Sequence, residues 1–160
     1  MEYLDKSQIL DKVHNWTYTV FIEEVPMSPS QMLARKVDPK TASGPALKAF
    51  FRIADRWKLD VEQQLTLLGA PARSTFFKWK KDQDGHLTMD SLERISYILG
   101  IFKALHILLP DEDAADAWVR KPNTAPLFAG TPALERMMSG QVSDLYVVRQ
   151  YLDAQRGGWS

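Results

Sequence analysis

The chain has 160 residues, 45% apolar and 25% charged, with no net charge and no cysteine. That is enough apolar material for a core and lies close to the globular average. Without cysteine, disulfides and thiolate zinc sites are excluded, and a reducing, cytoplasmic setting is expected. The N-terminus MEYLDKSQIL has no apolar signal segment. The longest apolar run, ILGIFKALHILL, is shorter than the about 18 residues of a membrane span and is broken by Lys103 and His106. Charge is uneven: residues 43–110 carry ten Lys/Arg against seven Asp/Glu, and residues 111–160 five against seven. A mildly basic middle is weak support for a nucleic-acid partner there, and ordinary scatter explains it as well.

In chain order, residues 1–42 are a segment of unclear structure. LDKSQILDKV can form a short helix, WTYTVFIEEV a short strand, and PMSPS and DPKTASGP read as loops. From 43 the reading is helical. Ser43 is placed as a cap, with Pro45 near the first turn of PALKAFFRIADRWKL. Leu47, Phe50, Phe51, Ala54 and Trp57 recur on one face. DVEQQLTLLG follows, with Asp60 as N-cap and Gly69 as C-cap, then ARSTFFKWKKD. TMDSLERISYILGIFKALHILL is a long apolar helix or a helix pair interrupted near Gly100, with Leu92, Ile95, Leu99, Phe102 and Leu105 spaced as core. PDEDAADAWVRKP opens a helix with carboxylates facing its positive dipole end. PNTAPLFAGTP is a loop, PALERMMSG a short helix ended by Gly140, and VSDLYVVRQYLDAQRGG a last helix with Val142, Leu145, Val148 and Leu152 inward.

VEQQLTLLG followed by ARSTFFKWKK has the form of a helix-turn-helix. Gly69 permits the sharp turn, and Leu65, Leu68, Phe76 and Trp79 fill the angle between the helices. Arg73, Ser74, Thr75, Lys78 and Lys81 then point outward as DNA-binding candidates, short polar groups for base edges and cations for phosphates. The turn, counted from Gly69 to Trp79, is one residue longer than the commonest version, which leaves open which side chains face a groove.

Catalysis has no support in the residues, so no catalytic residue, metal or cofactor is expected. His14, His86 and His106 share no ligand spacing, and no phosphate-cradling loop or nucleophile elbow is present. His106 on an apolar helix reads as a packed or boundary histidine. Asp111, Glu112, Asp113 and Asp116 crowd together; helix capping explains them better than a cation site.

From 91 to 160 the sequence resembles the toxin-binding domain of Xre/MbcA/ParS antitoxins. That family runs from a leucine-rich helix through a Trp-x-x-x-Pro-Asn segment, a Phe-Gly-Gly-x-x-Pro loop and a small helix ending in Gly to a last helix that runs into Arg-Gly-Gly-Trp. This chain supplies Trp118, Pro122, Asn123, Phe128, Gly130, Pro132, Gly140, Tyr151, Leu152, Arg156, Gly157, Gly158 and Trp159. It departs at Ala129, where the family has glycine; that alanine must avoid a positive φ or accept strain. A helix-turn-helix precedes the domain, as in the family. The resemblance implies a mainly α protein: a helix-turn-helix domain over 43–110, then a small helical toxin-binding and dimerisation domain over 111–160 whose first helix begins as early as about 88.

The resemblance further implies an antitoxin that binds a RES-domain toxin acting on NAD, blocks its active site, forms a homodimer and binds its own promoter. The NAD chemistry belongs to the partner. Asn123, Arg149, Tyr151, Arg156, Gly157, Gly158 and Trp159 are the toxin-binding candidates. Phe128 packs inward under either reading of its loop. Arg and aromatic groups are common interface anchors, yet Arg156 also suits a helix C-terminus without any partner. Trp159, beyond two glycines, either folds back on its own domain or is held for the toxin. A dimeric transcription regulator with no toxin partner is the alternative.

Overall fold

The computed structural model describes residues 39–157. The expected helix and strand within residues 1–38, and Gly158 and Trp159, lie outside the described residues. The described part is helical, in keeping with the expected fold class. Its elements are α1 (Pro39–Arg56), α2 (Val61–Leu67), α3 (Arg73–Asp82), α4 (Met89–Leu108), α5 (Glu112–Ala117), a 3-10 turn (Trp118–Arg120), α6 (Ala133–Met137) and α7 (Val142–Gly157).

α1 buries the expected face: Leu47, Phe50, Phe51, Ala54 and Trp57 are all inside. Leu47, Phe50 and Phe51 each contribute roughly 1.5–3 kcal/mol by leaving water, and the methyl of Ala54 less. The start of α1 differs from expectation. Residues 39–42 are helical rather than loop, and Ser43 is not a cap. Ser43 is fully buried, and its Oγ accepts the Leu87 backbone N–H at 3.0 Å. A serine that finds a tertiary donor inside the core has no local N–H to satisfy, so it no longer marks a helix end.

α2 keeps both expected ends. Asp60 Oδ1 accepts the Gln63 N–H at 2.8 Å while the Gln63 side chain accepts the Asp60 N–H at 3.1 Å, a closed capping box. At the other end the Ala70 N–H reaches the Leu65 carbonyl and the Gly69 N–H the Thr66 carbonyl, a Schellman motif. The turn into α3 uses two successive left-handed residues, Gly69 at φ 88° and Ala70 at φ 56°.

α4 is one continuous helix through Gly100, not a pair. It is the centre of the fold, packed most heavily on α7 and then on α1. Thr88 caps it, and Ser91 Oγ donates to the Leu68 carbonyl at 2.9 Å, fastening its start to the end of α2. The buried stripe is Ile95, Ile98, Ile101, Phe102 and Leu105, with Ala104 beside it. Leu92 and Leu99, expected in the core, are only half-buried. A helix covered on several sides is apolar around most of its circumference, so spacing alone misjudges which stripe lies deepest.

Two candidate binding surfaces

The helix-turn-helix packs as its sequence requires. Leu65, Leu68, Phe76 and Trp79 are buried between α2 and α3. Of the five outward candidates, Arg73, Ser74, Lys78 and Lys81 are exposed and Thr75 is half-buried. Arg73 forms an ion pair with Glu62 of α2, so part of its charge is already answered. Positions 74, 77, 78 and 81 share one stripe of α3 by helical spacing. That stripe therefore holds Ser74, Lys78, Lys81 and a residue the sequence reading passed over, Phe77, which is 48% exposed. Lys80 leans on the Phe76 ring at 5.9 Å and adds a cation nearby.

The second surface lies around α7. Leu145, Val148 and Leu152 are buried as expected, while Val142 is half-buried at the helix start. Arg149 lies across α4 at Gly100, where an added Cβ would stand 1.3 Å from the Arg149 guanidinium nitrogen. A glycine there is what lets α7 lay an arginine flat on α4. Arg149 Nε donates to Asp153 Oδ2 at 2.7 Å, and Arg156 approaches Asp153 Oδ1 at 3.5 Å. Ile107, Leu108, Arg149, Asp153, Arg156 and Gly157 line an open cleft of about 700 Å3 at the ends of α4 and α7. Arg156 and Gly157 are exposed at its edge.

Tyr151 stands apart from the arginines. Its half-exposed ring stacks on Trp118 at 6.5 Å and meets the Phe128 ring edge-on at 5.2 Å. Phe128 is buried, as expected under either reading of its loop.

Asn123 is occupied by its own loop. Its side-chain oxygen accepts the Ala125 N–H at 2.9 Å, its carbonyl accepts the Gly130 N–H at 2.8 Å, and its N–H donates to the Thr131 carbonyl at 3.3 Å. Pro122 and Pro132 close the loop as an isolated bridge. Ala129 takes the strained option, φ 51°, followed by Gly130 at φ 88°.

Besides the Ser91–Leu68 bond, two arginine latches join the first helices to the C-terminal part. Arg56 Nε donates to Asp116 at 2.7 Å and Nη2 to Glu112 at 3.1 Å. Partial burial lowers the Arg56 pKa, but its bonds to these carboxylates outweigh that and leave it raised. His106 is packed there, its side chain 6% exposed and Nε2 3.3 Å from Asp116. Asp111 caps α5 through the Ala114 N–H. Asp111 of the acidic run is thus spent on a cap, and Glu112 and Asp116 on Arg56. Arg120 supplies the second latch. It donates to the Trp57 carbonyl at 2.8 Å, the Lys58 carbonyl at 2.6 Å and the Gln63 side chain at 3.1 Å, just past the end of α1 and at the cap of α2. No local pattern flags Arg120, because its partners lie about sixty positions away.

The fold is thus a helix-turn-helix module followed by a small helical domain, and comparison with known proteins says what class each belongs to. Residues 36–100 match the antitoxin Xre-like helix-turn-helix domain, and residues 104–158 match the antitoxin Xre/MbcA/ParS C-terminal toxin-binding domain. The chain belongs to the Xre/MbcA/ParS antitoxin family. It is 59% identical over 112 residues to the uncharacterized protein y4oB of Sinorhizobium fredii, a match covering 70% of this chain and 84% of that protein. No solved structure matches it. Among the described residues, no helix is long and apolar enough to cross a membrane.

Proposed function

We propose that this antitoxin neutralises a RES-domain toxin by direct binding, with its C-terminal tail covering the toxin's NAD-consuming active site, and that α3 binds the promoter of its own operon. It acts without catalysis, cofactor or metal, in the cytoplasm, as a homodimer. The observation that carries this reading is the end of α7. The toxin-binding match runs to residue 158, and the helix leads there from a firm anchor, Leu152 at 2% exposure, to an exposed last turn at Arg156 and Gly157. Arg156 stands exposed at the mouth of the cleft, 3.5 Å from Asp153, where a partner's acidic group can reach it.

The test is removal of residues 156–160. The shortened chain keeps Leu152 and every buried contact of α7, so its thermal unfolding stays within a few degrees of the full chain. Co-expressed with the toxin encoded beside it, it fails to restore growth, and NAD is lost from the cells. A shortened chain that still neutralises the toxin fully sinks the tail mechanism. A neighbouring toxin that leaves NAD intact sinks the RES assignment.

A further inference from the structure

Resting on the reading that α3 binds DNA, we propose that Phe77 reads thymine, by packing its ring against 5-methyl groups in the major groove. Four large apolar side chains are exposed among the described residues: Phe77, Met89, Ile107 and Tyr146. Tyr146 has an aromatic neighbour, Tyr97, at 5.7 Å, and Ile107 lines the cleft beside α7. Phe77 stands on the outward stripe of α3, between Ser74 and the cations Lys78 and Lys81. An exposed phenyl ring set among cations suits a surface that is anionic at its margins and carries apolar groups within. The major groove is such a surface: phosphates border it, and thymine places a methyl group in it.

The position along the helix agrees. A recognition helix meets base edges through its N-terminal residues. α3 begins at Arg73, so Phe77 lies little more than one turn in. Arg73, the first residue, is drawn toward Glu62. Ser74 and Phe77 are then the side chains of the stripe nearest the helix start, with Lys78 and Lys81 behind them for the flanking phosphates. Phe77 is also held in place: the buried Phe76 ring packs against it edge-on at 5.3 Å. A ring already restrained loses little freedom on docking.

The probe is the duplex directly upstream of the operon, prepared once with thymine and once with uracil in its place, which removes only the 5-methyl groups. The full chain binds the thymine duplex at least about fivefold more tightly than the uracil duplex, as expected for a lost base contact of about 1 kcal/mol. Phe77→Ala binds both duplexes equally, at about the wild-type affinity for the uracil form. It keeps the wild-type salt dependence, because no phosphate contact is removed, and its thermal unfolding is unchanged. Phe77→Leu keeps part of the preference.

A Phe77→Ala chain that still prefers thymine by the wild-type factor overturns the proposal. So does a wild type that binds both duplexes equally, although DNA binding itself then stands. No binding of either duplex at low salt removes the DNA reading and this proposal together. Loss of toxin neutralisation in Phe77→Ala with the thymine preference intact assigns the ring to a protein interface instead.

Discussion

The outer face of α3 and the end of α7 both display basic residues, but they hold them differently. Lys78 and Lys81 stand out on flexible stems from an exposed face. Arg149 and Arg156 share one carboxylate, Asp153, and Arg149 is pressed onto a glycine of the neighbouring helix. The first arrangement suits a target whose charge repeats along a line and tolerates small shifts, as a phosphate backbone does. The second suits a single geometry, because planar guanidinium forks are pre-organised donors. The contrast teaches that a count of basic residues says little until it is known how firmly each one is held.

α4 carries α7 directly and α3 through α1, so the largest effect should come from breaking that helix's packing. Ile98 is fully buried, and Ile98→Ala leaves a cavity costing about 2–5 kcal/mol. The expected result is a fall of many degrees in thermal unfolding, with DNA binding and neutralisation lost together. If only one activity falls, the two surfaces are stabilised separately.

Next in size is the double change Lys78→Ala with Lys81→Ala. DNA affinity should fall about 10–100-fold near 0.1 M salt, for all sequences alike, with the salt slope reduced by about 2. Neutralisation in co-expression should stay at the wild-type level. Titration of promoter DNA at several salt concentrations checks the first part, and a growth assay the second.

Gly100→Ala sharpens the contrast from the other side. Alanine improves helix propensity by about 1 kcal/mol. The new methyl drives the Arg149 guanidinium off α4, and a partly exposed pair such as Arg149–Asp153 contributes less than about 1 kcal/mol. Thermal unfolding should therefore move little, while toxin affinity by calorimetry falls about tenfold and DNA binding is unchanged. Unaltered toxin affinity would show that Arg149 need not be held flat.

The smallest effect is expected in the loop between these regions. Ala129→Gly relieves a left-handed alanine at φ 51°, against the larger chain entropy of glycine in the unfolded state. The net gain should be at most about 1 kcal/mol, seen as a rise of a few degrees in unfolding temperature with both activities intact.

Much of the fold was legible from residue order, and the legible parts share a short range. Asp60 and Gly69 act on backbone groups within one turn of themselves, so their roles follow from local spacing. The face of α1 follows from its 3.6-residue period, because one side of that helix meets the core. The helix-turn-helix follows from a glycine between two apolar patterns. In the candidate sites, the outward direction of Ser74, Lys78 and Lys81 was equally legible, since the buried Phe76 and Trp79 set the phase of α3. Phe77 was passed over because an aromatic residue beside core aromatics reads as core until its direction is known.

The chain's order alone determined a helical protein with capped ends and a helix-turn-helix, since these rest on forces acting over a few residues; the toxin-binding domain was legible only through its resemblance to the antitoxin family. Tertiary structure alone decided where long-range partners meet. It turned Ser43 from a cap into an acceptor for Leu87, carried α4 unbroken through Gly100, and chose its deepest stripe. It also sent Arg120 to the carbonyls of Trp57 and Lys58. In each case the deciding group lies tens of residues away, and no local pattern encodes which distant donor, acceptor or bare backbone a side chain will reach.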